Sequence, residues 1–510
     1  MMTRVLAFSP GRLQKLLVLL NSVAFFLFCG GGVSYGGASY GGVSAVSNYY
    51  SAKGAAADVA VTRDGHIILA LTNSCCGQSA GIQVYNPVDY NSCNNTLSSP
   101  DFPSSITTVY GIALFPERPH DLSKTGVGLA VDSLGGQFLR LVDLNTCTVD
   151  GAQNAPQPQP ANAPPHAPGT FSLAVGYPFG PLSFAFLADE YGITQNSKPE
   201  GTNGTLGVVR TLRDRFGKFT KAELIAPNGY IYIPGANTLP GVTLSRDGRY
   251  LYLTHEGASL GNNNPTGVNN ADLASTTCLN QYPQLKSQGP NGLLSVIDVW
   301  KAMAGWGQLS IIRTIAAGCS PVRALESEDG KVVFVATRGG VPCAGSSEAS
   351  DPSKECIMNA FNGRILAFDA AKLRSRRLNE VNQSLITAMN SGGTAPVGMA
   401  LLNRGRWLVV ANSNRFYIEG EPEVESSNTN VAFLDVSSLK TPSVMTTCAS
   451  QDKKSFPRGV TVGGRDRSTV YVANFGGCGG LDNCKDGVAG FLQVITTTPG
   501  QNSGCLLPVN

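Results

Sequence analysis

Charge is scarce in this chain of 510 residues. Lysine, arginine, aspartate and glutamate make up 14% of it, against about a quarter in ordinary soluble proteins. The formal net charge is only +3, and no block of like charge exceeds the short run Arg374–Arg377. A nucleic acid needs a clustered basic face, and the sequence shows none, so that partner class is not expected. There is no C-x-x-C pair, which removes the usual spacing for zinc and thioredoxin-type sites. There is no C-x-x-C-H either, which removes covalent haem attachment. H-E-x-x-H, G-x-S-x-G, a phosphate-cradling glycine loop and an EF-hand loop are all missing. No cofactor or metal is expected. After the first thirty residues no run is apolar enough to cross a bilayer, so the mature chain is expected to have no transmembrane span.

Those first residues look like a targeting segment. Arg4, Arg12 and Lys15 form a basic start before the apolar stretch Leu16–Cys29, which is short of the ~20 residues a spanning helix needs. The organisation expected is a signal peptide over 1–33 and a Gly/Ser/Tyr-rich segment over 34–53, followed by the main domain over 54–497 and a tail over 498–510. The segment 34–53 reads either as a linker or as a strand helping to close a ring. Of 13 cysteines, Cys29 lies in the targeting segment, and an even number remains. In an exported chain that favours disulfides. Three glycosylation triplets, beginning at Asn94, Asn203 and Asn382, fit a secretory route. The protein is therefore expected to be secreted, disulfide-bonded and glycosylated.

What the sequence has in plenty is glycine, with 59 residues, and proline, with 30. Both punctuate many short strands. Aligned against itself, the chain repeats an apolar strand, a polar turn, a second apolar strand ending in a polar residue, and a third strand. The clearest copy is LPGVTLSRDGRYLYLTHE (Leu239–Glu256), followed after an insert by GLLSVIDVWK. Others are SPVRALESEDGKVVFVATRG with GRILAFDAAK, APVGMALLNRGRWLVVAN with NVAFLDVSS, and FPRGVTVGGRDRSTVYVAN with GFLQVITTT. Three more divergent copies precede them, bringing the expected number to seven. Period-two alternation marks the strands, and Asp-Gly or Arg-Gly pairs mark tight hairpins. Such units cannot bury both faces alone. Stacked radially they can, which predicts an all-β fold, a seven-bladed β-propeller of four-stranded antiparallel blades.

These motifs resemble the YVTN-type repeat and the related lactonase-like seven-bladed propellers, strongly in the last four copies and weakly in the first three. The resemblance implies a fold. It implies little about function, because this architecture hosts hydrolases, cycloisomerases and binding proteins alike.

In such a meander, the starts of first strands and the ends of second strands meet at one mouth of the central channel. Arg323 and Arg458 stand at strand starts. Asp132, Asp189, Glu190, His255, Glu256, Arg338, Asn412, Asn414, Arg415 and Asn474 stand at or near second-strand ends. From these, Glu256 and His255 are the candidate catalytic pair, and Arg323, Arg338, Arg458, Asn414 and Asn474 the candidate ligand-binding residues. Arginines hold carboxylates and oxyanions, and a His–Glu pair can move a proton. The resemblance implies that Glu256 matches a mouth-lining glutamate of the lactonase-like enzymes. For their histidine after a proline this sequence offers Pro119-His120, outside the repeat's strand-entry position. For the loops, Cys343 is expected to pair with Cys356, Cys478 with Cys484, and Cys75 or Cys76 with Cys93. Two readings remain open. One is a propeller that binds a small molecule, glycan or protein through its mouth and loops. The other is a lactonase-like hydrolase or cycloisomerase.

Overall fold

The computed structural model describes residues 43–52, 55–62, 65–72, 81–85, 106–114, 126–133, 139–143, 148–149, 170–176, 182–189, 204–213, 219–225, 229–232 and 239–256. In the C-terminal half it describes 292–338, 362–413, 430–449, 456–463, 467–475, 490–499 and 504–506.

Where the repeats are clearest, each forms one antiparallel meander. Strands β14 (Gly241–Leu244), β15 (Tyr250–His255), β16 (Leu293–Asp298) and β17 (Ile311–Ala316) make one sheet. The next is β18 (Pro321–Glu326), β19 (Val332–Thr337), β20 (Asn362–Asp369) and β21 (Leu385–Thr394). A third is β22 (Pro396–Leu402), β23 (Trp407–Asn412), β24 (Asn430–Asp435) and β25 (Ser443–Ala449). Upstream, β9 (Thr170–Val175), β10 (Leu182–Asp189), β11 (Thr205–Arg213) and β12 (Phe219–Leu224) form a sheet to which β13 (Tyr230–Tyr232) adds on β11.

The turn chemistry explains the hairpins. Ser245 Oγ accepts from Tyr250 N at 2.9 Å and donates to Asp247 Oδ1 at 2.7 Å, while Gly248 takes φ 70°. The copy Ser327-Glu328-Asp329-Gly330 repeats this, with Val332 N on Ser327 Oγ at 2.9 Å and Gly330 at φ 71°. Side chains thus complete the turn, and glycine supplies the left-handed residue.

The last sheet closes on the N-terminal part of the chain. Strands β26 (Phe456–Gly463), β27 (Thr469–Phe475) and β28 (Phe491–Pro499) are completed by β1 (Val43–Ser51), antiparallel to β28. The short β29 (Gly504–Leu506) then adds parallel to β1. Cys505 of β29 is disulfide-bonded to Cys448 of β25 in the preceding sheet. Cys319 is also disulfide-bonded. The expected pairs Cys343–Cys356 and Cys478–Cys484, and the group Cys75, Cys76 and Cys93, lie outside the described residues.

The first two repeats depart from expectation. Strands β2 (Ala55–Val61), β3 (Ile67–Thr72) and β4 (Gly81–Tyr85) are hydrogen-bonded to β5 (Ile106–Leu114), β6 (Gly126–Ser133), β7 (Leu139–Asp143) and β8 (Thr148–Val149) as one seven-stranded sheet. Among the described residues the join is a single residue pair, Thr72 with Thr108. The expected seven sheets are therefore corrected to six hydrogen-bonded sheets among the described residues, and the four-strand rule holds fully only in the later repeats.

The first strands form a closed circuit: β2 lies beside β5, β5 beside β9, β9 beside β14, β14 beside β18, β18 beside β22, β22 beside β26, and β26 beside β2. The fold is a β-propeller. Its core is a series of apolar layers, each shared by two neighbouring sheets. Phe186 and Val208 pack on Leu251 and Leu253, Tyr252 and Val296 on Val335 and Phe368, and Phe334 and Ile365 on Leu408 and Val410. Further round, Trp407 and Phe433 meet Val470 and Ile495, while Tyr471 and Val494 meet Leu69 and Tyr85. Alternation supplies both faces of each strand, so every sheet feeds two layers. Among the described residues no helix is long and apolar enough to cross a membrane.

Candidate functional site

Six first strands carry a β-bulge near their start. The register shifts fall between Ala56 and Asp58, Val109 and Gly111, Thr170 and Ser172, Pro321 and Arg323, Pro396 and Gly398, and Pro457 and Gly459. Proline has no N–H to give the ladder, and a bulge accommodates that. After the bulge, glycine lets neighbouring strands touch backbone to backbone: a Cβ on Gly398 would lie 2.0 Å from Arg458 O, and one on Gly459 2.6 Å from Asp58 Cα. These first strands therefore meet closely around the channel, level with their bulges.

Of the six post-bulge positions three are glycine, one is Ser172, and two, Asp58 and Arg323, carry charge. Asp58 is 8% exposed. Its Oδ1 accepts from Val59 N at 3.0 Å and its Oδ2 from Ile112 N at 3.3 Å, so it also fastens β5 to β2. Burial pushes its carboxyl above the ordinary carboxylate range. The positive fields of Arg323 and Arg458 and the two N–H groups oppose this without cancelling it. Both arginines are partly exposed. Arg458 occupies the bulge itself, one place earlier in register than Arg323. Its guanidinium lies 5.0 Å from the centre of the Phe475 ring.

The ends of the second strands sort by period two. The last residues of β15, β19 and β23, His255, Thr337 and Asn412, and the penultimate residue of β27, Asn474, are all 0% exposed. Each turns sideways into its own sheet. His255 Nε2 lies 3.2 Å from Ser295 Oγ, Thr337 Oγ1 donates to Arg364 O at 3.1 Å, Asn412 Nδ2 donates to Asn430 Oδ1 at 2.9 Å, and Asn474 Nδ2 to Gln493 Oε1 at 3.3 Å. These side chains satisfy polar groups inside the blade. The expectation that His255 reaches solvent beside Glu256 is corrected: adjacent residues on a strand face opposite ways, and here only the following residue reaches the mouth. Asn474 is buried by the same rule. Asn414 lies outside the described residues.

The next position along holds Glu256 and Arg338. Arg338 donates to Glu256 Oε1, and Ser320 Oγ donates to the same oxygen at 2.7 Å. Arg338 N also donates to Ser320 O at 3.0 Å. Glu256 and Arg338 thus join the β14–β17 sheet to the β18–β21 sheet at the start of β18. The five expected site residues divide between three surroundings: Glu256 with Arg338, Arg323 and Arg458 within electrostatic reach of Asp58, and His255 inside its blade.

Sequence reasoning missed Asp58 and Ser320. The signal for Asp58 was its place in the repeat, where other copies have glycine. It also missed a network at the far end of β18. There Glu326, 3% exposed, accepts from Arg246 N, Tyr252 Oη and Arg374. Arg374 stacks 4.5 Å from the centre of the Tyr250 ring. Burial pushes the Tyr252 hydroxyl well above its ordinary value. Every partner is spent on another, so this is a tie between blades. Among the described residues no group of three His, Cys, Asp or Glu side chains could hold a metal ion. Among the described side chains level with the bulges, the partly exposed charged groups are the guanidinium groups of Arg323 and Arg458, set against the buried carboxylate of Asp58.

No family model matches the chain, and no curated protein does. Solved structures of similar shape include the hydrazine synthase of Kuenenia stuttgartiensis, 12% identical with a TM-score of 0.47, covering 87% of this chain and 96% of that one. A chain of the mitotic checkpoint complex is 11% identical with a TM-score of 0.47, covering 93% and 98%. The Cps50 (Swd1) β-propeller domain of Myceliophteria thermophila is 9% identical with a TM-score of 0.45, covering 88% and 98%. At these values the likenesses say nothing about activity.

Proposed function

We propose that this protein is an exported, non-catalytic propeller that binds a small anionic ligand at the strand-start end of its central channel, held by Arg323 and Arg458. One observation carries the proposal: two partly exposed guanidinium groups act on a single buried carboxylate, Asp58. Guanidinium groups beside a buried, readily protonated carboxylate suit a carboxylate or phosphate, which gains most there from charge-assisted hydrogen bonds. Export is supported by the basic-then-apolar N-terminus and by the disulfide Cys448–Cys505, since disulfides persist in oxidising compartments. The circuit of first strands has seven members, β2, β5, β9, β14, β18, β22 and β26. That supports treating the two halves of the seven-stranded sheet as separate blades, as in the YVTN-type propellers. The lactonase-like alternative is less well supported, because the Glu256 carboxylate is engaged by Arg338 and Ser320, and His255 lies inside the blade.

Calorimetric titration with a panel of small carboxylates and phosphate esters tests the proposal. Saturable binding is expected, and Arg323→Ala should weaken it by about 1.5–3 kcal/mol. Flat titrations across the panel would overturn it. Hydrolysis of a lactone panel, with turnover lost in Glu256→Gln, would replace it with the hydrolase reading.

A further inference from the structure

The other end of the disc is a different kind of surface. In each meander the turn between first and second strands and the turn between third and fourth lie together there, away from the channel mouth. The backbone ties them: Val299 N donates to Arg249 O at 2.9 Å, Ala370 N to Lys331 O at 2.8 Å, and Val436 N to Arg406 O at 2.9 Å. From β14 to β27 the charge exposed on this hairpin face is one-sided. The first turns expose Arg246, Arg249, Lys331, Arg404, Arg406 and Arg467, and the second turns add Arg376, Arg377 and Lys440.

Among the described residues of these turns, only Asp247 and Asp329 are exposed carboxylates, and each is bent back onto its own turn backbone. Asp298 and Asp369 cap short helices, α1 (Val299–Met303) and α2 (Ala370–Leu373), by accepting from Lys301 N and Lys372 N. Glu328 sits between Arg246 and Arg467, and Glu380 is held by Arg377 and Ser375. Asp435 accepts from Ser437 N at 2.9 Å. With all seven of these carboxylates charged, the nine exposed cations still leave the described part of the face positive. These nine cations come together from separate turns, a clustering not apparent along the sequence because each turn contributes only one or two.

Beside the cations stand exposed apolar side chains. Trp300 is 57% exposed, Trp306 52% and Leu309 73%, on α1 and the 3-10 turn Gly307–Ser310 that follows it. They include two of the chain's three tryptophans. Lys301 Nζ lies 5.5 Å from the centre of the Trp306 ring. The basic loop is fixed next to them: Arg313, on the strand leaving that 3-10 turn, donates to Arg376 O at 2.9 Å.

We infer that this hairpin face docks on a lipid bilayer rich in anionic phospholipid, with Trp300, Trp306 and Leu309 entering the boundary between headgroups and acyl chains. Tryptophan settles at that boundary because its ring is apolar and its N–H is not. Leu309 decides between polyanions. It has no ring to stack on a sugar or base and no hydrogen bond to offer, so it gains only by leaving water for hydrocarbon. Arg376 and Arg377 then meet lipid phosphates, and the remaining turn cations add attraction to the charged leaflet. This surface is at the opposite end of the disc from the proposed ligand site and stands or falls independently of it.

The full chain, sedimented with vesicles of phosphatidylcholine alone and of phosphatidylcholine with phosphatidylglycerol, tests the inference. Binding to the mixed vesicles only, weakening with added salt and accompanied by a blue shift of tryptophan emission, is the expected result. The double variant R376A/R377A should lose about thirtyfold in affinity, and W306A/L309A should lose most of the blue shift. All four side chains are at least half-exposed or on turn tips, and an unchanged unfolding midpoint would confirm that the variants fold. Equal behaviour towards the two vesicle types overturns the inference. So does retention on heparin or DNA without vesicle binding, which would make the face a site for a soluble polyanion.

Discussion

Glu256 and Arg338 each stand one residue beyond the end of a second strand, in adjacent blades, and the arginine donates to the glutamate's Oε1. The Arg338 side chain is only 3% exposed and that of Glu256 22%. Truncating the glutamate would leave a buried guanidinium without its ion-pair partner, which costs more than the pair itself is worth. Glu256→Ala is expected to lower stability by about 2–3 kcal/mol, and Glu256→Gln by less, since an amide oxygen still accepts. Urea unfolding of the two variants checks this. Equal stability of both with the parent would show the contact to be idle.

Asp58 makes stability depend on pH. Its folded carboxyl is raised above the ordinary range, so between that range and its folded value the native state holds a proton that the unfolded chain has released. Stability is therefore greatest below the ordinary carboxylate range and is lost as pH rises through the folded value. Asp58→Asn should flatten this part of the profile, at the cost of the Ile112 N–H contact. A profile in which the variant and parent fall in parallel would assign the dependence elsewhere. The same titration bears on the ligand: protonating Asp58 removes the carboxylate that competes for Arg323 and Arg458, so anion affinity should rise as pH falls.

Two glycines of β26 should respond differently to alanine. At Gly459 the new Cβ would lie 2.4 Å from Asp58 Oδ1, 2.6 Å from Asp58 Cα and 2.9 Å from Val59 N, on a strand that cannot move without opening the channel wall. At Gly463 it would meet the side chains of Val61, at 2.8 Å, and Tyr471, at 3.0 Å, which can shift. Gly459→Ala is expected to cost about 2–3 kcal/mol or more, and Gly463→Ala about 1 kcal/mol. Thermal unfolding under identical conditions ranks them, and the reverse order would contradict the packing.

Breaking Cys448–Cys505 by Cys505→Ser should remove about 2–4 kcal/mol. The loss should be local as well. Strand β29 would no longer be tied to the neighbouring blade, and the amides of Val43–Ser51 that lie between β28 and β29 should exchange faster with solvent. Hydrogen exchange on that peptide, with and without reductant, reads the effect directly.

The repeat and its hairpins were legible because they are written locally. S-R-D-G-R and S-E-D-G-K contain the residues that build their own turns, and alternation names both buried faces. The number of sheets was not, since one pair between Thr72 and Thr108 fuses two repeats and belongs to neither motif. At the mouth, proximity was readable but facing was not. His255 and Glu256 are adjacent letters, yet period two sends one into the blade and the other to the next sheet. Bulges made this harder, shifting Arg458 one register place from Arg323 although both follow a proline closely. The Cys448–Cys505 bond joins two blades through the ring closure, so spacing along the chain held no trace of it.

The pairing of β1 with β28 sets a schedule for the making of this protein. Val43–Ser51 leaves the ribosome long before its partner Phe491–Pro499, with the rest of the propeller made in between. At about 5–20 residues per second, synthesis of the intervening chain takes from roughly 20 to 90 seconds. Throughout that interval the first-made strand has bare edges and no mate, the state in which strands pair with the wrong neighbour. The ring therefore cannot assemble progressively to completion as its blades emerge. It can be closed only once Phe491–Pro499 has been made, and a ribosome that stalls before residue 491 releases a stack of blades with two open ends.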